Sequence, residues 1–233
     1  MSEPEMQERL RKAGHHALQG APACTSLTDE AYAALEERIV TLEMAPGSAL
    51  SEQVLCQEIG LGRTPVREAL QRLAREGLVA VLPRKGVRVT ETDPQRQLLV
   101  LEVRRELERL LSRTAAARAS GDERARLRAI ADGMERAAET SDDRAFMRLD
   151  RTMNLLVMEA AHNEYAAGAM RLINGQSRRF WFQHYRAAAD LPLCARLHAA
   201  QARAIASGDA EAAGAALDRL IDYTEAFTRA AAG

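Results

Sequence analysis

The sequence predicts a mainly α fold, in which a small N-terminal domain with a β-hairpin is followed by an all-α helical bundle. Two observations lead to this prediction. Ala, Leu and Arg dominate the composition while aromatic residues make up only 4% of it, a mix that favours helices over sheets. Turn-forming residues also divide the second half into long segments with helical periodicity. A length of 233 residues accommodates one large domain or two modest ones.

The N-terminal region is expected to contain a flexible arm and then the first helix. Residues 1–27 combine Pro and Gly with two adjacent histidines, which predicts an arm without an assigned role. A helix follows, capped by Thr28 or Asp29. Its inward face is expected to carry four apolar or aromatic residues: Tyr32, Leu35, Ile39 and Leu42.

Two further helices and a hairpin complete the predicted first domain, residues 28–91. A short helix begins at Ser51 and turns Val54, Leu55 and Ile59 inward. The third helix spans about 64–75, with Pro65 in its first turn. Two short strands, 78–82 and 87–90, are joined by Pro83-Arg84-Lys85-Gly86, which predicts a hairpin with a basic tip. Helices followed by such a hairpin predict a winged helix-turn-helix.

The second predicted domain, residues 92–233, is all-helical. Thr92-Asp93-Pro94 forms the linker and begins a helix. Punctuating residues then separate segments of helical length, at about 94–119, 122–139, 142–161, 163–186, 191–206 and 209–230. Helices of this length are expected to form a bundle.

Positive charge is concentrated in the third helix and the hairpin, although the formal net charge of the chain is only -1. Between residues 63 and 88 there are seven basic and two acidic residues. Arg63, Arg67 and Gln71 share one exposed stripe of the third helix. Because arginine can bind a guanine edge or anchor a phosphate, this segment is expected to contact nucleic acid, aided by Arg88 at the wing.

The same segment resembles the GntR family of bacterial transcription regulators. The resemblance lies in Leu50-Ser51-Glu52, in residues 62–73, in Glu76-Gly77-Leu78-Val79 and in residues 83–87. It implies that double-stranded operator DNA is a partner. The residues expected to contact DNA, by resemblance or by their place on the helix and wing, are Ser51, Arg63, Thr64, Arg67, Gln71, Lys85, Gly86 and Arg88. Gln53 departs from fatty-acid-responsive relatives, which carry arginine there, and Glu68 is expected to form an intramolecular salt bridge rather than to read bases.

The second domain resembles the helical ligand domain of the FadR branch, the FCD domain. The resemblance lies in residues 101–108, 149–154, 162–163, 197–198 and 204–213. It implies effector binding and dimerisation. Many members hold a divalent metal at positions that align here with Asp150, Asn154, His198 and Leu220. Because two of three histidines are missing, a tetrahedral site cannot be completed. Asp150 and His198 remain weak candidates for a site finished by water or ligand oxygens.

A carboxylate effector is the alternative to metal coordination. Arg104 matches a family arginine that points into the pocket, and its guanidinium suits a carboxylate. Asp150, Asn154 and His198 are expected as its neighbours in the effector site. Arg104 could instead pair with Glu108 or Glu102, and Asp150 and His198 could be polar core residues satisfied by neighbouring helices. The aromatic residues of 180–185 could line the pocket, pack the core or form a dimer seam.

These features predict a homodimeric, cytoplasmic transcription repressor that a small organic acid releases from its operator. The cytoplasm is inferred from three widely spaced cysteines without a leader segment, and no apolar run is long enough for a membrane span. One alternative is a DNA-binding dimer whose helical domain senses no ligand. Another is an enzyme using Asp150 and His198 as acid and base, but neither a nucleophile motif nor a phosphate loop accompanies them.

Overall fold

The computed structural model describes residues 26–84, 86–188 and 190–232, and these residues form an α-helical protein with one small sheet. The helices of the first domain are α1 Leu27–Val40, α2 Glu52–Ile59 and α3 Arg63–Arg75, and its strands are β1 Ala49–Leu50, β2 Val79–Leu82 and β3 Gly86–Val89. The helices of the second are α4 Pro94–Arg118, α5 Gly121–Thr140, α6 Asp143–Ala160, α7 Glu164–Ala188, α8 Leu191–Ser207 and α9 Ala210–Ala230. The mainly α prediction, with a winged helix followed by a helical bundle, is confirmed.

The start of α1, one of its expected core positions and one expected core position of α2 differ from the prediction. The cap is Ser26, whose hydroxyl accepts from the backbone N–H of Asp29, while the Asp29 carboxylate accepts from the backbone N–H of Ser26. This reciprocal capping box places the cap two residues before Thr28 and three before Asp29. Leu42 lies beyond the helix with φ +61°, so it cannot continue the inward face. In α2, Val54 is exposed and Leu55 alone of the apolar three is fully buried.

The sheet contains one strand that the sequence pattern did not predict. Strand β3 lies between β1 and β2, and both pairings are antiparallel. Strand β1 has only two residues, too few to show the alternation by which strands are recognised. The remaining interior is formed by side chains of α1, α3 and the hairpin: Leu35, Ile39, Leu70, Leu73, Leu78 and Val89.

The helical bundle follows the predicted boundaries to within a few residues. Helix N-termini are capped by the side chains of Asp93, Ser120, Asp142, Asp190 and Asp209. Its largest apolar cluster includes Leu111, Leu127, Met134, Leu156 and Ile205. No helix in the described part of the chain is long and apolar enough to cross a membrane.

Helix α7 of the bundle packs directly against the winged-helix domain. Val40 of α1 belongs to the same buried cluster as Phe180 and Trp181 of α7. At Gly175, an added Cβ would lie 2.8 Å from Cδ1 of Leu78, a distance shorter than real side-chain contacts. A side chain there would require Leu78 to shift, so α7 and the first domain are in close contact at this point.

Candidate nucleic-acid interface and ligand cavity

The outer face of α3 presents the basic stripe that the sequence predicted. Its buried side carries Val66, Ala69, Leu70 and Leu73, because these positions recur at helical spacing. The opposite side chains are exposed and line a shallow groove, and they include Arg63, Thr64, Arg67 and Gln71. Gly62 caps the helix without a side-chain hydrogen bond, so the first backbone N–H groups stay open to an external acceptor.

Three hydrogen bonds lie on or beside this face. Arg67 donates from Nη2 to Glu52 Oε2 at 2.9 Å, an exposed ion pair of the kind that holds a side chain only weakly. Ser51 accepts from the backbone N–H of Val54 at 3.5 Å, and it caps α2. Glu68 accepts from Thr28 Oγ1 at 2.6 Å, so its intramolecular partner is a hydroxyl rather than a cation.

The wing places Arg88 on the solvent side of the sheet. In β3, Val87 and Val89 are buried while Gly86 and Arg88 are exposed, and Arg88 lies opposite Ala80 on β2 and Ala49 on β1. Gly86 has φ +81°, which a residue with a Cβ adopts only with strain. Lys85, the other predicted contact at the wing tip, lies outside the described residues.

A cavity opens inside the helical domain where four of its helices and the C-terminal helix α9 converge. Its enclosed volume is about 40 Å³, well below the roughly 300–1,000 Å³ of small-molecule sites, so an organic ligand fits only if lining side chains move. The lining residues are Arg104, Phe146, Met147, Asp150, Ser177, Arg178, Trp181, Cys194, His198, Leu220 and Thr224. Apolar walls therefore surround a small group of ionisable side chains.

Asp150 is the acidic centre of this cavity, and it has three partners. Asn154 Nδ2 donates to Oδ1 at 2.9 Å, His198 Nε2 lies 3.4 Å from Oδ1 and Arg178 Nε lies 3.3 Å from Oδ2. Burial alone would raise the pKa of Asp150, but the contacts with His198 and Arg178 outweigh it and leave the pKa below its ordinary value. Asp150 is thus an ionised, compensated carboxylate.

His198 is held between two acceptors. Its Nδ1 lies 2.9 Å from the carbonyl oxygen of Cys194, and its Nε2 faces Asp150. Both ring nitrogens can donate only when the imidazole is protonated. Burial would lower the pKa of His198, but the contacts with Cys194 and Asp150 raise it well above its ordinary value. The raised pKa favours the protonated imidazole, so His198 and the Asp150 carboxylate form a buried ion pair.

The predicted effector residues occupy different positions around the cavity. Arg104 lines it and also donates from Nε to Glu108 Oε1 at 2.6 Å, so the pocket position and the ion pair foreseen as its alternative occur together. Asn154 lies behind Asp150 and lines a separate, smaller space with Glu108 and Gln201. Trp181 lines the cavity while Phe180 contacts Phe227, so the aromatic cluster serves both pocket and core.

The residues at the aligned metal positions do not fit a metal ion. The oxygens of Asp150 already face three N–H donors, one of them on the permanently cationic Arg178. Leu220 offers no ligand atom. Among the described residues there is no group of three or more His, Cys, Asp or Glu side chains that could hold a metal. Charge in this cavity is instead balanced by side chains.

Sequence reasoning missed the turn of α7 at residues 176–179. Arg178 and Arg179 are only 5% and 3% exposed. Arg178 Nη1 donates to Glu36 Oε1 of α1 at 2.7 Å, and Arg179 Nη1 donates to the carbonyl of Thr90 at 2.9 Å. Arginine is rarely fully buried, so no residue-type signal marks these two. Only their place among apolar residues of an amphipathic helix could have suggested it.

The fold and these two surfaces define a winged-helix protein with an appended helical domain that encloses a cavity. The family model of the bacterial regulatory proteins of the gntR family matches residues 27–89, and that of the FCD domain matches residues 99–223. The chain therefore belongs to the gntR family, and its second domain is an FCD domain.

Relatives agree with this assignment. The chain is 52% identical over 65 residues to an uncharacterized HTH-type transcriptional regulator in an unstable DNA locus of Streptomyces ambofaciens, covering 28% of each chain. It is 28% identical over 198 residues to a probable D-xylose utilization operon transcriptional repressor of Paenarthrobacter nicotinovorans, covering 82% of this chain and 86% of that one. The matches span 28%, 37% and 64% of the length of the first three curated relatives.

A solved structure shows the same fold. The Escherichia coli protein McbR/YncC superposes with a TM-score of 0.74 over 88% of this chain and 97% of its own, at 21% sequence identity. Winged helix and helical domain therefore occur together in both proteins.

Proposed function

We propose that this protein is a homodimeric, DNA-binding transcription repressor that leaves its operator when a small organic acid enters the cavity of the helical domain. The proposal describes a binding protein rather than an enzyme. One observation carries it: a cavity lined by cationic side chains lies in a domain that is docked on a cationic winged helix.

DNA binding is supported by the exposed face of α3. Arg63, Arg67 and Gln71 are long donor side chains on one helix face, with Arg88 on the adjacent wing. Such a face fits the major groove, where arginine reads guanine and phosphates are anchored by further donors. A dimer would present two such helices to half-sites about one helical turn apart.

An anionic ligand is supported by the donors around the cavity. Arg104, Arg178 and His198 contribute positive charge, and Nε1 of Trp181 is buried without a hydrogen-bond partner among the described residues. Buried donors without acceptors are unfavourable, and a carboxylate would supply acceptors. The name of the Paenarthrobacter relative, a repressor, supports the same sign of regulation here.

Dimerisation is supported by an exposed apolar row on α4. Leu99, Val103 and Leu110 are 61%, 52% and 44% exposed, and their spacing of four and seven places them on one face of the helix. Covering this row with the same row of a second copy would remove it from water.

A second candidate function is a DNA-binding dimer whose helical domain senses no ligand. It is favoured by the internal pairing of the cavity cations, since Arg104 is bound to Glu108 and Arg178 to Glu36 and Asp150. The two candidates differ in one observable, which is whether any small molecule changes DNA affinity.

The deciding experiment combines thermal shift with DNA binding. The full chain is screened against acetate, succinate, citrate, benzoate and decanoate, and DNA binding is followed by fluorescence anisotropy on a fragment selected from a random-sequence pool. We expect one acid to raise the melting temperature and to weaken DNA binding. Stabilisation should be lost in Arg104→Ala and reduced in Arg104→Lys, which keeps the charge beside Glu108 without the fork.

The exposed Arg96 provides a matched control on the same helix, and Arg96→Ala should respond to the acid as the unaltered protein does. Selection of no DNA fragment would reject the regulator. Tight DNA binding that no acid or neutral compound affects would leave the second candidate.

A further inference from the structure

One turn of α7 contributes both to the cavity and to the interface with the winged-helix domain. Ser177 and Arg178 line the cavity. Their neighbours contact the other domain: Gln176 Nε2 donates to the carbonyl of Glu76 at 2.8 Å, and Arg179 binds the carbonyl of Thr90. Because these residues are consecutive on a rigid helix, one turn cannot be displaced on the cavity side without a change at the interface.

Arg178 contacts both the cavity and the winged-helix domain. Its Nε lies 3.3 Å from the cavity carboxylate of Asp150, while its Nη1 donates to Glu36 of α1 at 2.7 Å. Arg178, Glu36 and Asp150 are all buried. One guanidinium therefore contacts two buried carboxylates, one from each domain.

The single positive charge of Arg178 is shared between Glu36 and Asp150. Among the described residues, Nε makes no well-formed hydrogen bond despite its proximity to Asp150, so an oxygen acceptor entering the cavity has a donor to use. Attraction between buried charges is stronger than in water. A third negative group near Arg178 draws the guanidinium towards the cavity and weakens its hold on Glu36.

Glu36 has one further cation nearby, in a looser contact. Its Oε2 lies 3.4 Å from Nη2 of Arg151 but makes no hydrogen bond within the described residues. A buried carboxylate that loses its partner is strongly unfavourable, and movement of α1 relative to α7 would relieve this. Since α1 packs against α3, such a shift reaches the helix with the basic stripe.

We propose that Arg178 is a positioning residue that transmits a change of charge in the cavity to α1, and through it to the DNA-contacting helix. The inference rests on the proposed function in that the natural signal is an anionic ligand. The coupling is reciprocal, so DNA binding must change the affinity of the cavity for anions by the same factor.

The test needs no identified ligand, because Asp150→Asn changes the cavity charge by itself. DNA dissociation constants are measured on the selected fragment for the full-length protein, for Asp150→Asn, for Glu36→Gln and for the double variant. We expect Asp150→Asn to change the dissociation constant about five- to tenfold and to change it less than twofold in the Glu36→Gln background. An equal change in both backgrounds, or none in either, would overturn the proposal.

The matched control is Glu30→Gln, on the exposed face of the same helix. In that background the effect of Asp150→Asn should keep its full size. A lost effect there would mean that any charge change on α1 suffices, which also contradicts a role for Arg178.

Hydrogen exchange covers the case in which Glu36→Gln does not fold or no DNA fragment is selected. Asp150→Asn should change exchange of the α1 amides, Leu27–Val40, while α2 amides, Glu52–Ile59, stay as they were. Unchanged α1 exchange would overturn the coupling. Changed exchange without DNA binding would reject the proposed function and leave the coupling intact.

Discussion

The arginines of α3 and those of α7 perform opposite tasks with the same side chain. Arg63 and Arg67 are exposed and face solvent from an outer helix surface. Arg178 and Arg179 are buried and bind carboxylates and carbonyls across the domain interface. The exposed pair is available to an external partner, whereas the buried pair is occupied by the protein itself.

This difference determines what each arginine contributes. An exposed arginine adds little to folding stability but can add a bidentate contact to DNA. A buried arginine between carboxylates adds little net stability compared with an apolar core, yet its removal leaves charges without a partner. Substitutions in the two regions should therefore separate DNA affinity from stability.

The largest expected effect is on stability, in Arg178→Met. Without the guanidinium, Glu36 and Asp150 remain buried with fewer partners, and the free energy of unfolding should fall by about 3–5 kcal/mol. Urea denaturation at neutral pH measures this. Arg96→Met, at an exposed site, should stay within about 0.5 kcal/mol of the unaltered protein. A loss below about 1 kcal/mol in Arg178→Met would show that the buried network is not needed.

The second effect is on DNA affinity, in Arg63→Ala. Loss of a bidentate contact is expected to weaken binding by about 1–3 kcal/mol, and the melting temperature should stay unchanged because the side chain is exposed. Fluorescence anisotropy against the selected fragment measures the affinity. Arg229→Ala, exposed on α9, is the control and should bind normally. Equal loss in both variants would indicate unspecific attraction rather than a contact by α3.

Sequence patterns predicted those features that depend on local periodicity. The apolar spacing of Val66, Leu70 and Leu73 identified α3 and its exposed stripe, and Pro83 to Gly86 identified the hairpin. Features that are short or that depend on distant residues were not predicted. Strand β1 has two residues and exists only through its pairing with β3, and Leu42 continued the helical spacing of α1 beyond the point where the backbone turns to φ +61°.

Only some residues of the cavity were predicted, because a local sequence pattern marks some of them and not others. Asp150 and His198 stood out as polar residues on apolar helix faces, and the structure places His198 Nε2 3.4 Å from Asp150 Oδ1. Arg178 did not stand out, because an arginine on a helix is usually solvated. Its role depends on Glu36, which is 142 residues away in the chain, and no local pattern encodes such a pairing.

A third prediction concerns pH and distinguishes the cavity from the basic stripe. The pKa of His198 is raised well above its ordinary value in the folded protein. The resulting stabilisation of the fold is fully present below the unfolded-state pKa of about 6.5. It is lost as the pH rises through the folded-state pKa. Unfolding free energies of the unaltered protein and of His198→Gln should therefore converge as pH increases above 6.5.

Urea denaturation from pH 6 to pH 9 tests this convergence. The lowered pKa of Asp150 does not interfere, since its contribution is present above the unfolded pKa and disappears only in acid. A gap between the two proteins that stays constant over this range would mean that His198 is neutral in the fold.

The smallest expected effect comes from removing an equivalent helix cap in each of the two domains. Ser26 with Asp29 begins α1, and Ser120 with Glu123 begins α5, each as a reciprocal capping box. Ser26→Ala and Ser120→Ala should each lower the free energy of unfolding by about 1 kcal/mol.

The shape of the unfolding curve then tests whether the buried arginines join the domains into one cooperative unit. Because Arg178 and Arg179 bind across the interface, either substitution should shift a single calorimetric transition. If the domains were independent, each substitution would move only the transition of its own domain. Two separable transitions would contradict the tight docking through α7, and they would make the coupling of cavity and DNA-contacting helix depend on contacts too weak to transmit it.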